Sequence, residues 1–105
     1  MAVVGGMPYV VGGHSEGEYL DIAERFNLST HAWESLPPMP SPREACAAAS
    51  AAGQLYVFGG SHMEQALAAA ETFRPASMDW EVLPPMPFAR DACAAASASG
   101  AIYLA

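Results

Sequence analysis

The chain contains two stretches of nearly identical sequence, separated by a constant offset of 47 residues that needs no gap. The matched features include Trp33 with Trp80, Arg43 with Arg90, Cys46 with Cys93, and residues 36–40 with 83–87. A fixed period of this size indicates repeated supersecondary units that stack, because one such unit alone cannot bury its apolar face. The repeat therefore constrains the architecture before any single residue is interpreted.

Five landmarks recur in order within the period. They are an aromatic and β-branched segment that ends in two glycines, then Glu-x-Phe, then Trp, then Leu-Pro-Pro-Met-Pro, and then an arginine. With this set of landmarks the chain resembles a kelch-repeat protein along essentially its whole length. The resemblance implies four-stranded blades of about 50 residues, of which four to eight close into a β-propeller.

We therefore predict an all-β fold, a partial kelch β-propeller with a little over two four-stranded blades. The expected repeats are residues 1–42, which lack their start, residues 43–89, which are complete, and residues 90–105, which stop before the glycine pair. Such a chain is expected to be a fragment or a protomer that completes a ring with other copies. Self-association through open blade faces is the corresponding expectation for the isolated chain.

Local propensity disagrees with the repeat in two places. Residues 18–28 carry apolar side chains at helical spacing, and residues 63–71 are rich in helix-forming residues. The kelch template instead predicts short third strands at residues 23–27 and 70–74. Further strands are predicted at residues 9–11, 45–51 and 55–58 and near both tryptophans, with the alanine-rich strand innermost.

The formal charge of −7, with four arginines and no lysine, argues against nucleic acid and anionic membrane surfaces as partners. No apolar run reaches the length of a membrane span, and the N-terminus lacks the basic region of a secretory signal. Cys46 and Cys93 occupy equivalent positions, which favours inert core thiols over a disulfide or a metal pair. These features fit an intracellular, cytoplasmic protein.

Trp33 and Trp80, together with Met39 and Met86, are predicted to lie in the core between blades, because large apolar groups dominate packing energy. The proline-rich segments could be polyproline ligands for a small recognition domain. Their recurrence at the repeat period favours a structural connection between neighbouring blades.

Arg43 and Arg90 follow these proline-rich segments, and two roles remain open for them. Each arginine could fix the crossing between blades through hydrogen bonds, or it could capture a carboxylate of an acidic partner. In kelch-type substrate receptors, the loops that enter the inner strand share one face with the loops that follow the glycine pair. The resemblance thus implies that both arginines are candidate binding residues.

The loops after the glycine pairs differ between the two repeats, although the residues around them agree. Divergent loops on a rigid scaffold commonly carry recognition, while a plain solvated turn is the alternative. The predicted binding residues in these loops are His14, Ser15, Glu16, Ser61, His62 and Met63.

No catalytic or metal-binding motif accompanies the repeat, so we predict no cofactor and no enzymatic activity. The resemblance is strongest to BTB-kelch and F-box-kelch proteins, which are substrate receptors of cullin-type ubiquitin ligases. It implies a protein partner and a protein-interaction role. An actin-binding kelch protein, or part of a kelch-fold oxidase or sugar epimerase, is the alternative.

Overall fold

The computed structural model describes residues 2–15, 17–44, 46–63, 65–87, 89, 95–98 and 101–104. These residues form strands, turns and connections, and none of them is helical. Every strand pair within the described part of the chain is antiparallel. The predicted all-β fold with partial propeller blades is confirmed.

The first blade is a four-stranded sheet in the order β1-β2-β5-β6. Its strands are β1 (Ala2–Val4), β2 (Met7–Val11), β5 (Ala23–Asn27) and β6 (Ala32–Leu36). Between β2 and β5, a short hairpin pairs β3 (His14–Ser15) with β4 (Glu18–Tyr19). Apart from this hairpin, the blade is a simple meander.

The second blade repeats this pattern, with the sheet order β12-β11-β8-β7. Its strands are β7 (Ala47–Ala51), β8 (Gln54–Phe58), β11 (Ala70–Arg74) and β12 (Asp79–Leu83). The corresponding hairpin pairs β9 (Ser61–His62) with β10 (Gln65–Ala66). Strands β8, β11 and β12 keep the 47-residue offset from β2, β5 and β6, so the sequence repeat is also a repeat of structure.

A third unit contributes one antiparallel pair, β13 (Ala95–Ala98) with β14 (Ala101–Leu104). Both β1 and β13 lie close to β7, the alanine-rich strand at one edge of the second blade. The corresponding strands of three successive repeats are therefore neighbours, as expected for innermost strands that crowd around an axis. Small side chains at Ala47 and Ala49, both buried, permit this close approach.

The two segments with helical propensity are not helical. Residues 18–28 contain β4 and β5, and the described part of residues 63–71 contains β10 and the start of β11. Pairing on both sides of β11, with β8 and with β12, satisfies its backbone hydrogen bonds. Tertiary pairing overrides local propensity here, as the repeat predicted.

The core lies between the first and second blades. Tyr9 and Leu36 of the first blade pack in one cluster with Leu55, Val57 and Phe73 of the second. The rings of Tyr9 and Phe73 lie 6.4 Å apart between centroids. Packing the two sheets together removes an apolar face of each sheet from water, and neither sheet could cover that face alone.

The residues that were predicted to lie in the core differ in how far they are buried. Met39 is buried, and Trp80 is half-buried against the core cluster. Trp33, by contrast, is 55% exposed, so its assignment to the core is wrong for the described structure. Trp33 lies on the face of the first blade opposite to Tyr9, where Phe26 contacts its ring but leaves most of it exposed.

One glycine of each glycine pair lies directly against the connection that runs from the first blade to the second. Gly12 and Gly60 both have positive φ angles. A Cβ atom at Gly60 would lie 2.6 Å from the carbonyl oxygen of Glu44, and one at Gly12 would collide with the carbonyl oxygen of Arg43. Glycine is required here because the connection of residues 37–46 runs directly past these positions.

We predict that Gly60→Ala lowers the free energy of unfolding by about 2–5 kcal/mol, from strained backbone angles plus overpacking. Gly53→Ala is the matched control, because Gly53 also has a positive φ angle but has open space around it. It should cost about 1–2 kcal/mol. Urea unfolding of both variants measures the difference, and equal losses would contradict a steric role for Gly60.

Candidate functional site

The loops that follow both glycine pairs lie at the same end of the blades as the connection of residues 37–46. The amide of Gly13 donates to the carbonyl of Arg43 at 2.8 Å, and the amide of Arg43 donates to the carbonyl of Leu20 at 3.0 Å. Glu44 and Ser61 exchange two backbone hydrogen bonds of 3.1 and 2.8 Å. We call this surface, formed by the described residues of 12–22, 37–46 and 59–69, the loop end.

The two hairpins of the loop end meet through their aromatic side chains. The rings of Tyr19 and His62 are 4.9 Å apart and meet edge to face. Tyr19 pairs through its backbone with His14, and Ser15 pairs with Glu18. The structure therefore places His14 and Ser15 on one hairpin and Ser61 and His62 on the other, and the contact between Tyr19 and His62 joins the two hairpins.

Met63 projects from the turn of the second hairpin. It is 71% exposed and has a φ angle of 52°. A large unbranched apolar side chain in this position exposes adaptable contact surface. A left-handed backbone at a residue other than glycine is uncommon, but it also occurs at His31, Ala52 and Met78, so at Met63 it reflects the tight turn.

Arg43 points away from solvent and into the second blade. Its side chain has no exposed area, and its guanidinium forms an ion pair with the equally buried carboxylate of Glu71. It also donates to the carbonyl oxygen of Gly59 at 3.0 Å. Ser41 donates to the second carboxylate oxygen of Glu71 at 3.0 Å, so both ends of the pair are held.

This geometry agrees with the structural role that the sequence left open for Arg43. A guanidinium that is fully buried and engaged with Glu71 does not contact a partner in the described conformation, so its assignment as a binding residue is not supported by its position. Glu16 and Arg90 lie outside the described residues, and their binding roles stay predictions. Cys93 also lies outside them, whereas Cys46 is half-buried against the core.

The other described arginines are also engaged within the chain. Arg25 pairs with Glu34 at 2.7 Å, and Arg74 pairs with Asp79 at 3.0 Å. Hydrogen bonds from these guanidinium groups lower the pKa of both the Glu34 and the Asp79 carboxyl groups. At the loop end, the described charged groups that reach the surface are carboxylates: Glu18 is exposed, and Asp21 and Glu44 are half-buried.

Sequence reasoning did not identify two residues that take part in these contacts, Glu71 and Tyr19. Glu24 is the equivalent of Glu71 in the first repeat, and these two glutamates are separated by the same offset as Arg43 and Arg90. This common offset was the signal in the sequence for an Arg–Glu pair. Tyr19 has no counterpart of its kind in the second repeat, where Ala66 stands. Its contact with His62 depends on how the two blades are placed, which no local pattern reports.

Comparison with protein families supports the repeat assignment. The kelch motif matches residues 1–40 and again residues 42–87, which is most of the chain. The chain belongs to the kelch-repeat family. Kelch repeats generally mediate protein–protein interaction, and kelch domains are typically not enzymatic. A search of curated proteins found no match.

Two other kinds of site are absent from the described residues. These residues contain no group of three or more His, Cys, Asp or Glu side chains that could hold a metal ion. Among the same residues, no helix is long and apolar enough to cross a bilayer.

We predict that Arg43→Met lowers the free energy of unfolding by about 3–5 kcal/mol, because it leaves the Glu71 carboxylate buried without its partner. Adding Glu71→Leu should recover most of this loss, since two apolar side chains can replace a buried ion pair. Urea unfolding of the single and double variants measures the coupling. A loss below about 1 kcal/mol for Arg43→Met would fit an exposed arginine, not a buried pair.

Proposed function

We propose that this chain is a protein-interaction module whose loop end contacts the partner. The observation that carries the proposal is the meeting of one divergent loop from each blade on a framework of strands that the two repeats share. Tyr19 and His62 join these loops, and Met63 stands exposed beside them. Rigid strands beneath adaptable loops are the usual arrangement of recognition surfaces.

The partner-binding residues in this proposal are His14, Ser15, Glu16, Ser61, His62 and Met63, together with Arg90. Arg43 contributes by fixing the connection beneath these loops. Because the described surface charges of the loop end are carboxylates, the partner is expected to present basic side chains to the two described blades. Arg90 remains the position for an acidic group of the partner.

The finer proposal is that the module belongs to a substrate receptor of a cullin-type ubiquitin ligase, acting in the cytoplasm. It rests on the similarity of the blade pattern to those of BTB-kelch and F-box-kelch proteins. Actin binding and membership of a kelch-fold enzyme are the alternatives. Co-sedimentation with actin filaments tests for actin binding. Measuring the metal content of the purified protein and its turnover of a panel of sugars tests for enzymatic activity.

The loop end is tested by comparing two methionines of the same blade. Met63 and Met78 both have positive φ angles and exposed side chains, but Met78 lies in the β11–β12 turn at the opposite end. Partners captured from cell extract on immobilised chain are identified by mass spectrometry. Met63→Ser should reduce capture of the specific partner at least about tenfold, because a contact residue is lost, while Met78→Ser should not.

The ligase connection has a separate readout. An excess of this chain in cells should compete for the captured partner and lower its cullin-dependent ubiquitination. The Met63→Ser variant should compete poorly, and Met78→Ser should compete like the original chain. If capture depends on Met63 but ubiquitination of the partner is unchanged, the interaction module stands and the receptor assignment fails.

A further inference from the structure

The connection between the two blades carries a serine directly in front of a proline. Ser41 is the only serine or threonine of the chain that precedes a proline, and the second repeat has Phe88 and Ala89 at the equivalent positions. A following proline favours extended backbone at the serine. An extended Ser-Pro segment is what proline-directed protein kinases recognise. The first repeat therefore carries a kinase recognition element that the repeat pattern itself does not require.

The path of the connection leaves this segment accessible. Its backbone is anchored on either side of Ser41, at Met39 and Arg43, whose amides donate to carbonyls of the first loop at 2.7 and 3.0 Å. Between these anchors Pro40 is exposed, while Ser41 and Pro42 are half-buried. The two prolines have no amide hydrogen to donate. A kinase can therefore hold the segment after few hydrogen bonds have been broken.

The Ser41 hydroxyl lies against the buried ion pair. It donates to one carboxylate oxygen of Glu71 at 3.0 Å, and the guanidinium of Arg43 pairs with the other oxygen. Glu71 is 1% exposed, and Arg43 has no exposed area. One cation thus balances one anion, and the hydroxyl is a neutral donor to the carboxylate. A phosphoryl group on Ser41 would replace this donor with an anion.

We propose that Ser41 is a phosphorylation site for a proline-directed protein kinase, and that the phosphate weakens the contact between the two blades. In the reaction the Ser41 oxygen attacks the γ-phosphorus of ATP, the bond to the β–γ bridging oxygen breaks, ADP leaves, and the hydroxyl proton is released. Ser41 is not one of the proposed partner-binding residues, so the inference goes beyond the proposed function.

The expected effect follows from the balance of charge around Glu71. The phosphate adds about two negative charges beside a carboxylate whose counter-ion is the single guanidinium of Arg43. The phosphate repels Glu71 and competes with it for Arg43, and both effects cost free energy where water is excluded. The connection that carries Ser41 is therefore pushed away from the second blade.

Kinase treatment of the intact chain tests the site. The chain is incubated with MgATP and two purified proline-directed kinases in turn, one cyclin-dependent and one mitogen-activated, and peptide mass spectrometry locates the phosphate. Incorporation at Ser41 should fall at least about tenfold in the Ser41→Ala and Pro42→Ala variants. The exposed Ser29 and Ser77 are internal controls, because neither precedes a proline. No phosphate on Ser41 with either kinase, or equal incorporation at Ser77, would overturn the assignment.

Urea unfolding of the phosphorylated chain tests the effect on the blades. Its folding equilibrium constant should be at least about 30-fold lower than that of the unmodified chain, because the phosphate opposes a buried carboxylate. An unchanged or a raised constant would show that the phosphate leaves the ion pair intact, and would overturn the proposed weakening.

A matched pair of substitutions isolates the charge without a kinase. Aspartate and asparagine have nearly the same shape, and Ser41→Asp should give a folding equilibrium constant at least about tenfold lower than Ser41→Asn, because its carboxylate faces Glu71. Ser77 is the matched control, because it is exposed and its hydroxyl also donates to a carboxylate, that of Asp79. There the same two substitutions should differ less than about threefold, since water screens exposed charges. Equal differences at the two serines would contradict repulsion at the buried pair.

The dependence on Glu71 gives a second control. In the double variant Arg43→Met with Glu71→Leu, which lacks both charges of the pair, Ser41→Asp and Ser41→Asn should differ less than about threefold. A difference that stays at tenfold or more in this background would assign the effect to something other than the ion pair and would contradict the proposal.

Discussion

The buried ion pair between Arg43 and Glu71 is the contact on which the arrangement of the two blades depends. Its arginine belongs to the connection that leaves the first blade, and its carboxylate belongs to a central strand of the second. Two charges withdrawn from water need each other and further hydrogen bonds, and Gly59 accepts one from Arg43 while Ser41 donates one to Glu71. The ion pair consequently fixes the path of the connection, together with the glycine positions that it passes and the loops beside it.

Much of the fold followed from the period of the sequence. The kelch template implied by the repeat predicted short strands around residues 23–27 and 70–74, where β5 and β11 lie, although local propensity favoured helices there. A repeat is informative because the same local sequence must solve the same packing problem twice. The prediction that the alanine-rich strand is innermost agrees with the proximity of β1, β7 and β13.

The candidate site was less accessible to sequence reasoning. The repeat indicated that Arg43 has a specific role. It did not decide whether the guanidinium faces a partner or the interior, since both roles favour arginine. Trp33 and Trp80 occupy equivalent positions of the repeat, yet their exposure differs because coverage depends on the neighbouring blade. The contact between Tyr19 and His62 likewise arises from the placement of two blades, which is a property of assembly and not of either segment.

The path of the chain at Arg43 also links recognition to stability. The backbone of this residue is hydrogen-bonded to Gly13 and Leu20 in the first loop, while its side chain anchors the second blade. A ligand that restrains the first loop would therefore also hold the guanidinium in place beneath the neighbouring sheet. By thermodynamic linkage, occupancy of one loop would slow amide exchange in strands of the next blade, although the ligand touches none of them.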